Sequence, residues 1–223
     1  MKKLSINNTR INLYNENSDS DTLLYCVVSD LDTENEELIS FILDNNVRVA
    51  FIECKDWNTY LSPWKADSPF KGEPDFGGKA NTYIHFINNE VIPYVESETS
   101  KPDFRGIFGY SLSGLFSLYA FYNSSAFSLC GCVSGSVWYE GFEKWVLSKT
   151  PVAESGSVFF SLGNREEKSR NPIFQRTGTI MKRIAQNLNE NDNYEATFKY
   201  TQGTHFDGYA ERIQECIEWL LGF

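Results

Sequence analysis

Four short runs in this chain, VRVAFIEC, GIFGY, LCGCVSG and SVFFSLG, are nearly unbroken stretches of apolar and small residues. A strand with one face in water alternates apolar and polar side chains. A run without a polar face must be covered on both sides, as in a parallel sheet held between two layers of helices. Strands are expected near 10–14, 23–29, 47–53, 105–109, 129–134, 157–162 and 196–201, separated by segments of helical period. The expected class is therefore α/β, a three-layer sandwich around a mostly parallel sheet, with residues 1–223 as one domain and no separate cap domain.

The intervening segments carry helix ends. Thr33 with Glu36 three residues on has the form of a capping box ahead of Leu38, Phe41 and Ile42, and Asn171-Pro172 has the form of a cap with a first-turn proline ahead of Ile173, Thr177, Ile180, Ile184 and Leu188. Ile84, Ile87, Val91 and Val95 share one face of a helix over about 81–95, and His85 falls off that face. Ala210, Ile213, Cys216, Ile217 and Leu220 form the stripe of a terminal helix. The segment from Asp56 to Gly78 has no period and contains Trp57, Tyr60, Trp64, Phe70 and Phe76. It reads as a long loop, and long loops inside compact domains usually serve function.

Charge and the scarce residue types narrow the function. Thirty acidic against 20 basic residues give a net charge of −10, a field that repels nucleic acid and anionic membranes. The two histidines, His85 and His205, and five cysteines without a CxxC pattern argue against a metal site, and no cofactor is called for. The cysteines sit in apolar runs, as buried free thiols do in a reducing cytoplasm. The amino terminus lacks the roughly 7–15 apolar residues of a secretory signal, and no stretch approaches the roughly 18 of a spanning helix. A soluble cytoplasmic protein is expected. The Asn15–Asp21 stretch reads as a solvated turn, because it lacks the glycine and closing glutamate of a calcium loop.

Gly109-Tyr110-Ser111-Leu112-Ser113-Gly114 stands at the end of one apolar strand and directly before an apolar helix. That is the setting of a nucleophile elbow, in which small neighbours allow a sharp strand-to-helix turn and hold the serine hydroxyl above the sheet edge. A serine needs a base, itself oriented by a third group. His205 lies in the turn between the last strand and the terminal helix, at the same carboxyl edge of a parallel sheet. Glu166, just past strand 157–162, is the first choice of acid, with Glu167 as the alternative. The order serine, acid, histidine is that of the α/β-hydrolases. The backbone amide of Leu112 is one expected oxyanion donor. The second falls within Glu53–Trp57, with Cys54 or Lys55 as candidates. Trp57 and Trp64 are expected to wall a largely apolar pocket. Net charge disfavours a strongly anionic substrate, unless Lys55, Lys65 and Lys71 form a local basic patch.

With these residues placed, the chain resembles the branch of the α/β-hydrolases that contains the enterochelin (siderophore) esterases and esterase D. The resemblance is carried by DWNTYLSPW, GYSLSGLFSLYAFY, CVSGSVWYEGF, SLGNREEKSRNP and THFDGYAERI, and covers most of the chain from about Ala50. It implies a serine hydrolase of esters, with Ser111 as nucleophile and His205 as base acting on a small-molecule ester through an acyl-enzyme. Ser113 departs from the usual second glycine, and a glutamate stands where many relatives have aspartate. Some siderophore esterases use a serine and histidine pair alone, an arrangement in which Glu166 would be dispensable. The same intermediate would serve an acyltransferase, and the fold could also persist as a non-catalytic binding domain.

Overall fold

The computed structural model describes residues 1–222. In chain order the strands are β1 (Lys2–Ile6), β2 (Thr9–Tyr14), β3 (Thr22–Val28), β4 (Val49–Glu53), β5 (Lys65–Ala66), β6 (Phe76–Gly77), β7 (Phe104–Tyr110), β8 (Leu129–Val133), β9 (Gly156–Gly163) and β10 (Tyr194–Thr201). The helices are α1 (Glu36–Asp44), α2 (Trp57–Tyr60), α3 (Ala80–Phe86), α4 (Ile92–Ser97), α5 (Leu112–Asn123), α6 (Phe142–Leu147), α7 (Thr177–Leu188) and α8 (Tyr209–Leu221), with a π-helical turn over Ile87–Val91 joining α3 to α4. The main sheet has eight strands in the order β1-β2-β4-β3-β7-β8-β9-β10. Strands β4, β3, β7, β8, β9 and β10 run parallel, while β2 is antiparallel to both β1 and β4.

Why the apolar runs look unbroken is visible in how alternate residues sort. Tyr25, Ala50, Ile107, Cys130 and Phe160 face one layer, while Cys26, Phe51, Phe108, Val133 and Phe159 face the other. The first layer holds α3 to α7 and the second α1 and α8. Helix α5 is buried from Leu112 through Tyr122. Its sequence, apolar all round, suits a helix at the centre of a layer rather than an amphipathic surface one.

Some local expectations are corrected. Strand β1 was not anticipated; it pairs with β2 through a two-residue turn at Asn7 and Asn8, both at positive φ (49° and 65°), the geometry that asparagine tolerates in tight hairpins. The cap of α1 is Asn35, whose side chain accepts from the Leu38 amide, not Thr33. Thr33 instead ends a short 3-10 turn capped by Asp30. We expect Asn35→Ala to cost about 1 kcal/mol in chemical denaturation and Thr33→Ala only a few tenths. The turn at Asn171-Pro172 precedes a single 3-10 turn, and α7 itself starts at Thr177. The 56–78 segment is not structureless: α2 and the β5–β6 pair lie within it, each too short to display a period. His85 is exposed on α3.

The sheet order also fixes where a site can form. After β3 the chain steps to β4 on one side, and β7, β8, β9 and β10 then follow on the other. The crevice at the carboxyl ends of β3 and β7 is therefore a topological switch point, the place where open α/β sheets bind ligands.

Candidate active site

Ser111 stands at that crevice, between the end of β7 and the start of α5. Its backbone is at φ 60° and ψ −121°, a region that side-chain-bearing residues rarely occupy. The turn is tight because its neighbours are small. A Cβ on Gly114 would lie 2.9 Å from the Gly109 carbonyl and 3.0 Å from Gly135 Cα, and one on Gly109 would run into Ser113. Ser113 fits in place of a glycine because its buried hydroxyl donates to the Val27 carbonyl at 2.7 Å.

His205 follows β10 in the loop before α8. Its Nε2 is 3.0 Å from Ser111 Oγ and its Nδ1 is 2.8 Å from Glu166 Oε2. Burial raises the proton affinity of Glu166, but hydrogen bonds from His205, the Gly163 amide and Ser134 outweigh it and hold the carboxyl below its ordinary pKa. An ionised carboxylate only accepts, so Nδ1 carries the proton and donates it. Nε2 is left with a lone pair facing the Ser111 hydroxyl. The other carboxylate oxygen, Oε1, accepts from the Gly163 amide, Ser134 and Arg212, each at 2.8 Å.

Glu167 points elsewhere. It accepts from Tyr200 at 2.6 Å and from the Gly178 amide at 3.0 Å, which removes it as partner of the imidazole. Asp207, two residues after His205, is held by the Thr204 amide and hydroxyl, which depress its pKa, and it braces the loop.

The Leu112 amide is in the first turn of α5, where no intrahelical acceptor exists. The Cys54 amide donates to the Val28 carbonyl at 2.8 Å, so it is not free to hold an oxyanion, and that expectation is corrected. The neighbouring Lys55 amide has no backbone acceptor among the described residues. Burial also pushes the Cys54 thiol up to about 12.

A cavity of about 640 Å³ lies beside Ser111, and Trp57, Tyr110, Tyr209, Asp30 and Glu34 are among its lining residues. Trp64 is not. Its indole donates to the Glu140 carbonyl at 2.9 Å and packs with Tyr119, Phe142 and Trp145, so it belongs to an aromatic cluster over α5 and α6. Lys55, Lys65 and Lys71 are exposed and absent from the lining, so they form no basic patch there.

Fold and crevice together define an α/β-hydrolase. Residues 32–212 match the family described as Putative esterase, and the chain belongs to that family of ester hydrolases. It is 30% identical over 169 residues to the uncharacterized protein YbbA of Bacillus subtilis, covering 72% of this chain and 68% of that one. Two solved structures share the fold at 16% identity. They are an IroE-like serine hydrolase from Shewanella oneidensis (TM-score 0.78, 96% of this chain and 75% of that one) and the siderophore hydrolase EstB from Aspergillus nidulans (TM-score 0.77, 98% and 94%). No helix among the described residues is long and apolar enough to cross a membrane.

Two features of the site were not anticipated from the sequence. Arg212 on α8 is almost fully buried and reaches Glu166, and the Tyr110 hydroxyl donates to the His205 carbonyl at 2.8 Å. An arginine at the flank of the apolar stripe of the terminal helix, one turn before Cys216, was the signal available for the first. Nothing local marked the second.

Proposed function

We propose that the protein is a serine esterase whose Ser111, His205 and Glu166 act as nucleophile, base and orienting acid on a small-molecule carboxylic ester. The observation that carries this reading is the continuous hydrogen-bonded chain from Ser111 Oγ through both ring nitrogens of His205 to Glu166. His205 Nε2 takes the hydroxyl proton as Ser111 Oγ bonds to the carbonyl carbon. The negative oxygen that forms is held by the amide of Leu112 and, we infer, that of Lys55. His205 then protonates the departing alcohol, leaving an acyl group on Ser111. Water, deprotonated by the same nitrogen, releases the acid and restores the serine.

Labelling of the native protein by a fluorophosphonate, together with hydrolysis of short p-nitrophenyl esters, tests this. A folded protein that does neither would refute it. Product analysis with an added alcohol acceptor separates hydrolysis from acyl transfer, and hydrolysis is the expected outcome. A cyclic triester siderophore belongs in the substrate panel because the solved relative from Aspergillus is named a siderophore hydrolase.

The charge of the cavity gives a further expectation. Its charged lining residues are Asp30, which Arg10 pairs at 3.3 Å, and Glu34, which among the described residues is held by neutral donors alone, Asn12 at 2.9 Å and Tyr14 at 2.6 Å. A carboxylate on the substrate about 10 Å away meets a repulsion of about 1.5 kcal/mol at an effective dielectric constant near 20. We therefore expect p-nitrophenyl butyrate to exceed p-nitrophenyl hemisuccinate by about tenfold in kcat/KM. The gap should narrow as salt is added.

A further inference from the structure

Arg212 breaks two rules that a helix normally obeys. It lies in the first turn of α8, its amide bonded to the Gly208 carbonyl at 3.1 Å, where the helix dipole disfavours a cation. Its side chain is also only 1% exposed. Neither placement helps the helix, and each is costly for the fold unless the charge is well used.

What the guanidinium touches suggests the use. The two hydrogens of Nη1 are shared among three oxygens, the Tyr110 hydroxyl at 2.9 Å and Ser134 Oγ and Glu166 Oε1 at 2.8 Å each. Nη2 donates to the Gln202 carbonyl at 3.0 Å and the Thr204 carbonyl at 2.8 Å. The fold leaves room for it: a Cβ on Gly163 would lie 2.5 Å from Nη2. The five oxygens come from the elbow, the end of β8, the acid turn and the histidine loop. That loop has little apolar anchorage, with Phe206 91% exposed.

Resting on the serine-esterase reading, we propose that Arg212 is a positioning residue. It ties Glu166 Oε1 so that Oε2 faces the imidazole. It also holds the His205 loop by the carbonyls on both sides of Gly203 and, through Tyr110, by the carbonyl of His205 itself. It does not line the cavity beside Ser111, so it orients the base without binding substrate.

The test uses Arg212→Lys, which keeps the charge but cannot span five oxygens, with rates normalised to folded protein well below its melting midpoint. We expect kcat for p-nitrophenyl butyrate to fall about 100-fold, the scale of a misplacement near 1 Å, while KM stays within about twofold. Arg212→Met should fall at least as far. A folded Arg212→Lys with wild-type kcat overturns the proposal, as does one in which only KM changes. Should Arg212→Lys fail to fold, Tyr110→Phe decides, since it removes one hydroxyl and leaves the ring. A kcat loss of about tenfold supports the relay, and full kcat overturns it. Wild-type hydrolysis that survives Ser111→Ala would instead sink the serine-esterase reading itself, which separates the two failures.

Discussion

Ser111→Ala is expected to remove ester hydrolysis, by roughly 10⁴-fold or more in kcat, while the protein remains folded. Under the proposed mechanism the loss is large because the serine, base and acid act as a unit, and without the hydroxyl nothing accepts the acyl group. Fluorophosphonate labelling should vanish with it. Stability should barely change in Ser111→Ala, since the substitution removes one hydrogen bond to His205 and keeps the same backbone. Ser111→Gly is the sharper measurement. At φ 60° and ψ −121° a residue with a Cβ stores about 1–3 kcal/mol of strain, and glycine releases much of it. We expect Ser111→Gly to be inactive and about 1 kcal/mol more stable than the native protein, in spite of the general cost of added glycine. A less stable Ser111→Gly would show that the turn is not under strain. Unaltered hydrolysis in Ser111→Ala would place the nucleophile elsewhere.

Glu166→Gln carries the second large effect. A neutral amide at this position can present its NH₂ to Nδ1, which puts the ring proton on Nε2, facing the serine hydroxyl it would deprotonate under the proposed mechanism. The expected loss is about 10³–10⁴-fold in kcat, with the fold of the site intact. Stability suffers as well, because Arg212 keeps its charge in a buried place after its carboxylate partner is gone, a change that costs about 3–5 kcal/mol. Glu167→Gln, by contrast, should stay within about twofold of native activity, because this half-buried side chain faces Tyr200 and the Gly178 amide rather than the imidazole.

Acid titration adds an independent check on Glu166. Its carboxyl is held below the ordinary range in the folded state, so folding is favoured at every pH above its unfolded value. That contribution drains away as the pH falls through the lower, folded value. The native protein should lose stability over that acidic window more steeply than Glu166→Gln, as measured by denaturation midpoints at a series of pH values. Equal slopes would mean that the carboxylate gains nothing from its partners.

What local sequence reveals of this chain follows the range of the forces involved. The place of Ser111 in a tight strand-to-helix turn was legible because such a turn is a local construction: Gly109, Ser113 and Gly114 must be small within a few residues of it. The nearness of His205 and Glu166 to Ser111 was legible one step further out, because the carboxyl ends of parallel strands share an edge, and each residue lies within a few positions of the end of a strand that can be recognised. Glu166 could not be told from Glu167 without coordinates. The strand end and the 3-10 turn that follows it aim one side chain at the imidazole and the other at α7, and that direction has no signature in two adjacent glutamates. Cys54 and Lys55 differ for a similar reason. The amide that stays free depends on which one the Val28 carbonyl captures. Trp64 illustrates a third kind of miss, since an aromatic residue near a site in sequence serves equally well to pack helices away from it.

From its amino acids alone, then, this chain settled its layers, the mostly parallel run of its sheet, the edge where chemistry could gather and the tight turn that carries Ser111 there. Those properties depend on period, on apolar runs and on small residues close together in the chain. Three-dimensional folding alone decided the rest. It chose which carboxylate meets the ring, which of two neighbouring amides the Val28 carbonyl captures, and that Arg212 reaches Tyr110, 102 residues away along the chain. These are contacts between distant segments, and their geometry is set by how whole strands and helices pack.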